Sequence, residues 1–160
     1  YDLIDHIDTR IKEPKSIVKK MEKKKYEKTY LNLIEKINDV AGMRIVCTLK
    51  DDIFFIKDLI KQIPDVHILK EKDYVTNPKP SGYSSYHMIV EVPVKLSQKT
   101  IYVKCEIQIR TLAMDFWASF EHKVKYKTDQ DINKKTSKEL VNCAKMISKF
   151  DDKMISLKNI

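Results

Sequence analysis

Glycine is almost missing from this chain: 160 residues contain two, Gly42 and Gly82, where average usage would supply about eleven. The common glycine-rich phosphate cradles are missing with it, since there is neither a G-x-x-x-x-G-K-[ST] loop nor a G-x-G-x-x-G turn. Any phosphate must therefore be held by side chains. No apolar run approaches the roughly 18 residues of a membrane span, and no signal-peptide pattern precedes the fold. The expectation is a cytoplasmic protein with no membrane partner. The three cysteines, Cys47, Cys105 and Cys143, are odd in number, far apart and in no metal-ligand spacing. They read as reduced packing residues, two of them on the apolar phases of predicted strands. There are no repeats, low-complexity tracts or interdomain linkers. In so glycine-poor a chain, each remaining glycine marks a place where the backbone needs unusual dihedrals or a close approach.

What is present describes one globular domain, 42% hydrophobic and 34% charged. A net charge of +8 and a pI near 9.2 point to anionic partners: nucleotides, nucleic acid or acidic lipid. Most of the excess is lysine scattered over helix-like segments, so nucleic acid is possible but not required.

Residues 1–13 read as a short polar lead. Pro14 suits a first helical turn, predicting a helix over 14–25 with Ile17, Val18 and Met21 inward. A second helix over 31–38, a strand over 43–49 and a third helix over 51–63, started by Asp51-Asp52, follow. A strand over 66–75 leads into a loop, 76–82, and a strand over 84–94. A hairpin at 95–99 joins it to the most regular stretch in the chain, 100–110. There Ile101, Val103, Cys105, Ile107 and Ile109 share one face, and Tyr102, Lys104, Glu106, Gln108 and Arg110 the other. A helix over 111–127 carries Leu112, Phe116, Trp117 and Phe120 as its expected buried stripe. In a last helix, 131–158, Cys143, Ile147, Phe150, Met154 and Leu157 form a seam for the body or another subunit. The class is α+β, with a mixed or antiparallel sheet.

The chemistry gathers in four places. Glu106, Gln108 and Arg110 lie in one row about 7 Å apart, offering a carboxylate, an amide and a cation to one ligand. Arg10, Lys12, Ser16 and one of Lys19 and Lys20 cluster near a helix start, which favours an anion. Tyr83, beside a constrained loop carrying Lys79, can stack on a base, with His87 close by. Asp39 and Glu106 are the acidic residues facing this basic cleft, and two carboxylates with nucleotide phosphates suit Mg²⁺.

Arg10-Ile-Lys12 with Ser16, Asp39-Val-Ala-Gly42-Met-Arg44-Ile, Asn77-Pro-Lys-Pro-Ser-Gly-Tyr83-Ser-Ser-Tyr-His87, Glu106-Ile-Gln-Ile-Arg-Thr111 and Trp117-Ala-Ser-Phe-Glu-His122 resemble the successive motifs of the RelA/SpoT synthetase domain. The small alarmone synthetases are most similar. The resemblance implies a nucleotidyltransferase-like mixed sheet flanked by helices in residues 1–128, with a C-terminal helix in 129–160 for packing or oligomerisation. It implies transfer of the β,γ-diphosphate of ATP to the 3′-hydroxyl of GTP or GDP, giving (p)ppGpp. By position, Arg10 and Arg44 would sandwich adenine, and Lys12, Ser16, Lys20 and Lys72 would hold the ATP phosphates. Asp39 and Glu106 would bind Mg²⁺, with Glu106 also taking the 3′-hydroxyl proton. Tyr83 would stack on guanine, and Lys79, His87, Gln108 and Arg110 would complete the GTP/GDP side. The residues before Arg10 are too few for the hydrolase domain of the long members, so synthesis without hydrolysis is expected. The small members are commonly homotetramers. The pattern departs at Ser81, where Asn is usual, and at Tyr86, where Leu is usual. The alternatives are a non-catalytic nucleotide- or RNA-binding module of the same fold and a nucleotidyltransferase acting on nucleic acid. The latter lacks its Gly-Ser and close Asp-x-Asp pair.

Overall fold

The alternation of 100–111 sets the architecture. This strand buries Ile107 and Ile109 on one face, where Ile45, Met88, Val90, Ile53, Ile56 and Ile60 close over them. Each such side chain, fully buried, contributes about 1.5–3 kcal/mol. A computed structural model describes residues 2–127 and 133–158. Its elements are β1 (Ile4–Ile11), α1 (Pro14–Lys23), α2 (Tyr30–Lys36), β2 (Ala41–Cys47), α3 (Lys50–Lys61), β3 (His67–Asp73), β4 (Tyr86–Lys95), β5 (Thr100–Thr111), α4 (Leu112–Lys127) and α5 (Lys134–Lys158). The strands form one sheet in the order β1-β2-β5-β4-β3. β2 and β5 are parallel and the other neighbours antiparallel, so the sheet is mixed. The boundary expected at 128–129 and the expected start of the last helix lie outside the described residues.

Three expectations are corrected. The lead before Pro14 is not irregular: 4–11 is an edge strand, paired with β2 from Ile4 opposite Cys47 to Ile11 opposite Ala41. Its polar composition hid it, because an edge strand needs only one partner's hydrogen bonds and little apolar burial. On α4 the buried pair is Met114 and Trp117, both 4% exposed, while Leu112, Phe116 and Phe120 are exposed. The rings of Phe116 and Phe120 stack on one another at 6.5 Å. Two stripes were available at helical spacing, and contact with α5 selected the one through Trp117, whose Nε1 donates to the Leu140 carbonyl at 3.0 Å. On α5 the body-facing positions are Leu140 and Asp151, with Val141, Ala144, Ile147 and Ser148 half-buried. Cys143, Phe150 and Leu157 of the expected seam are exposed. They do not pack on the body, and Cys143 is no packing residue within this chain. Cys47 is one: it is fully buried, and burial pushes its thiol up to about 12.

α3 begins one residue earlier than the Asp51-Asp52 signal suggests. Asp52 acts from the first turn, its carboxylate accepting the Leu49 N–H at 3.0 Å. With α3 on one face of the sheet, the opposite face keeps the polar rows of β2 and β5 accessible.

Candidate active site

Strand register builds the site as two adjacent rows on that face. One row runs Asp8, Arg44, Gln108, His87, Lys72 across β1, β2, β5, β4 and β3. The other runs Arg10, Gly42, Glu106, Ile89, Lys70. Residues 8 and 10, 42 and 44, and 106 and 108 stand two apart on their strands, so the rows share a face. Asp8, Thr9, Arg10, Gly42, Met43, Arg44, Glu106 and Gln108 line a cleft of about 110 Å³. Gly42 has no positive φ. A methyl there would touch Arg10 Cγ at 3.4 Å, about van der Waals contact with a flexible side chain, so neither φ nor space demands a glycine at 42 as they do at 82.

At one end of the cleft Asp39 accepts from Lys12 at 3.0 Å and lies 2.8 Å from Lys20 Nζ. Burial alone would raise the Asp39 carboxyl, but hydrogen bonds from Lys20 and Lys12 outweigh it and hold the group below the usual carboxylate range. Ser16 stands in the first turn of α1, whose N-cap Glu13 provides no side-chain cap. Glu106 also lies below the ordinary range. The His87 ring is the largest influence, burial opposes it, Gln108 adds to it, and the charge of Asp39 opposes it. Gln108 Nε2 donates to Glu106 at 3.0 Å, whereas His87 Nδ1 is 3.6 Å away. At that distance His87 acts on Glu106 through the orientation of its ring and not through a full hydrogen bond. Asp39 and Glu106 thus sense each other across the cleft, both ionised at neutral pH.

The other end is a hydrogen-bonded cluster. Arg110, 5% exposed, donates to the Tyr83 hydroxyl at 2.7 Å and to Gln108 Oε1 at 2.6 Å. The Tyr83 hydroxyl is 2.8 Å from His87 Nε2. Because the phenolic oxygen receives Arg110, its own proton is available to Nε2, which leaves Nδ1–H turned to Glu106. The Lys79 ammonium stands 4.6 Å from the Tyr83 ring centre and 4.7 Å from that of Tyr74. The loop is tightly held. Gly82 N–H donates to Lys79 O at 2.8 Å and Lys79 N–H to Tyr83 O at 3.0 Å, and Gly82 has φ +92°. This glycine does need unusual dihedrals.

The departures at 81 and 86 resolve in opposite ways. Ser81 Oγ accepts the Tyr83 N–H at 3.4 Å, a turn-forming role that Asn also fills. Tyr86 points to the other face, against Phe54 and Glu71, away from the acceptor side. Lys72 shares the row of Arg44 but sits three strands from it, beside His87. A residue that sequence reading missed is Asp115 of α4, 3.0 Å from Arg110 and 3.3 Å from Arg44. Its only sequence signal, an acid in a first helical turn, is shared by many surface helices. A larger cavity of about 230 Å³ lies between the Gly82 turn, Trp117 and α5. It holds neither Glu106 nor Asp39 and is set aside for the chemistry.

A side-chain-lined cleft holding Arg10, Arg44 and Glu106, with the Lys12–Asp39–Lys20 cluster and an aromatic loop on the same mixed sheet, is the arrangement of a nucleotide-handling phosphoryl-transfer protein. Residues 9–131 match the region found in RelA/SpoT proteins, and the chain belongs to that family. It is 46% identical to the GTP pyrophosphokinase YwaC of Bacillus subtilis over 97% of its own length and 74% of that protein's. The crystal structure of small alarmone synthetase 2 from B. subtilis superposes with a TM-score of 0.91 at 43% identity, covering 99% of this chain and 83% of that one. Small alarmone synthetase 1 from the same organism, bound to its product pppGpp, superposes with a TM-score of 0.89 at 35% identity, covering 98% and 79%.

Proposed function

We infer that this chain is a GTP pyrophosphokinase, moving the β,γ-diphosphate of ATP onto the 3′-hydroxyl of GTP or GDP to give pppGpp or ppGpp. The observation that carries this reading is the position of Glu106. It is an ionised carboxylate between an arginine-lined cleft on one side and the Tyr83–His87–Arg110 cluster on the other. A transferase needs both halves to meet at one acceptor of a proton.

On the donor side, Arg10 and Arg44 hold adenine, and Lys12, Ser16 and Lys20 the phosphates, with Lys72, beside His87 on β3, as the remaining phosphate contact. On the acceptor side, Tyr83 stacks on guanine, and Lys79, His87, Gln108 and Arg110 bind the rest of the nucleotide. Asp39 and Glu106 are the residues for Mg²⁺. No group of three or more potential ligands occurs among the described residues, which fits an ion that takes one or two carboxylates and completes its shell with phosphate and water. When bound, Mg²⁺ neutralises diphosphate charge and polarises the β-phosphorus. The 3′-oxygen forms a bond to the β-phosphorus as the bond from that phosphorus to the α,β-bridging oxygen breaks. AMP leaves, and Glu106 receives the hydroxyl proton.

The exposed seam of Cys143, Phe150 and Leu157, with Met146 beside it, supports self-association, and we assign it to a homotetramer. A monomer in light scattering would remove that assignment. No helix among the described residues is long and apolar enough to cross a membrane, which is compatible with a cytoplasmic enzyme drawing on the ATP and GTP pools. The test of the reaction is incubation with γ-labelled ATP, Mg²⁺ and GTP or GDP, beside Glu106→Gln. Labelled (p)ppGpp from the wild type alone is the expected result. Nucleotide binding without product would instead indicate a binding module, for which RNA is the next ligand to try.

A further inference from the structure

Asp115 joins two arginines on adjacent strands, Arg44 of β2 in the cleft lining and Arg110 of β5 in the Tyr83 cluster. It stands in the first turn of α4, and a single oxygen, Oδ1, accepts from Arg110 Nη1 at 3.0 Å and lies 3.3 Å from Arg44 Nε as an ion pair without a hydrogen bond. Arg110 continues the chain to Tyr83 and Gln108, and Gln108 continues it to Glu106. Beyond Asp115, the acidic partner of Arg44 among the described residues is the more distant Asp8, with Oδ2 4.0 Å from Nη1. The side chains of Asp115 and Arg110 are largely withdrawn from solvent, at 18% and 6% exposure, while that of Arg44 is 33% exposed, so screening by water and salt is weaker on the Arg110 side than on the Arg44 side. Two guanidinium groups this close repel unless an anion stands between them, and Asp115 is that anion.

We propose that Asp115 is a positioning residue that ties Arg44 to Arg110, so that the donor and acceptor nucleotides each bind to a site oriented by the other. The inference rests on the reading above, in which Arg44 faces ATP and Arg110 faces GTP or GDP. Arg44 pairs with Oδ1 by charge, so its reorientation changes the field on the carboxylate that Arg110 is bonded to, and Arg110 in turn holds the Tyr83 hydroxyl. A coupling of this kind is reciprocal: ATP raises the affinity for the acceptor by the same factor as the acceptor raises that for ATP. Asp115 touches neither nucleotide in this scheme and moves no proton.

The test uses the purified chain and four variants: Asp115→Asn, Arg44→Gln, Arg110→Gln and the double variant Asp115→Asn/Arg44→Gln. Thermal melts establish that each is folded. Asp115→Asn preserves the shape and one acceptor oxygen but removes the charge. It is expected to raise KM for both ATP and the acceptor roughly fivefold to tenfold, with a smaller change in kcat. The decisive reading is remote. Arg44→Gln is expected to raise KM for the acceptor as well as for ATP, and in the Asp115→Asn background its effect on the acceptor is expected to vanish. A general loosening of the fold would not produce that non-additivity. The proposal is overturned if folded Asp115→Asn leaves either KM unchanged, or if the acceptor effect of Arg44→Gln persists without Asp115. If Arg44→Gln acts on the acceptor more than on ATP, and Arg110→Gln the reverse, the assignment of nucleotides to sides is wrong while the tie through Asp115 stands. If each arginine variant affects only its own nucleotide, the assignment stands and the tie is wrong.

Discussion

Replacing Gly82 by alanine tests how far the acceptor loop depends on the helix behind it. A Cβ added at Gly82 would lie 2.6 Å from the Ala144 Cβ of α5, with Trp117 Cζ2 and the Val141 Cα each at 3.4 Å. Carbon atoms rest at roughly 3.5–4.0 Å, so the loop or α5 must move by about 1 Å. Neither gives easily, because the turn is closed by two backbone hydrogen bonds between Lys79 and its neighbours and α5 is anchored by Asp151, which accepts from Thr111 at 2.8 Å. Overpacking of this size costs about 1–3 kcal/mol. The positive φ of +92° adds about 1–2 kcal/mol for any residue with a Cβ. Gly82→Ala is therefore expected to lose about 2–5 kcal/mol in urea unfolding and to raise KM for GTP or GDP far more than KM for ATP, since Tyr83 and Lys79 flank the shift. Ala144→Gly removes the nearest clash. Alone it costs about 1 kcal/mol of helix propensity, but combined with Gly82→Ala it should recover about 1–3 kcal/mol relative to the sum of the two single costs, leaving the backbone strain. An unchanged unfolding midpoint for Gly82→Ala, or no recovery in the double variant, would refute the steric account.

Other expectations follow from the same geometry. Trp117→Ala should cost about 3–5 kcal/mol, whereas Phe116→Ser, at a side chain 70% exposed, should change the stability of an isolated subunit by no more than about 0.5 kcal/mol. Chemical denaturation of both at low protein concentration checks the choice of stripe on α4. The acid limb of kcat/KM belonging to Glu106 should fall below the ordinary glutamate range, and His87→Ala, removing the largest cause, should move that limb upward. Asp39 is also held low by Lys20 and Lys12 against its burial. Its contribution to stability is therefore complete above the ordinary aspartate range and lost as pH falls through the lower folded value. Denaturation midpoints followed from pH 7 downward should decline less in Asp39→Asn than in wild type.

Much of the site was legible because period-two alternation is a local property. Once 100–110 is a strand, Glu106, Gln108 and Arg110 must share a face, and the structure keeps them there. The glycine at 82 was equally readable as a place of special backbone, because so few others remain. What no local pattern carried was partnership. β1 has too little apolar character to announce itself, and its pairing with β2 brings Arg10 over Gly42. Helical spacing allowed two stripes on α4 and could not say which would meet α5. Asp115 looked like an ordinary first-turn acid.

By itself the sequence determined which residues alternate on β5, that phosphate binding must rest on side chains, and that Asp39 and Glu106 were the acids to watch. Only the tertiary structure decided that Lys12 and Lys20 clasp Asp39, that Lys79 covers Tyr83, that Tyr86 turns away from the acceptor and that Asp115 bridges two arginines. The physical reason is range. Side-chain periodicity is set by dihedrals one residue at a time, whereas a charge finds its counter-charge through strand order and helix docking, which join residues 71 positions apart in Arg44 and Asp115 and 102 apart in Lys50 and Asp152.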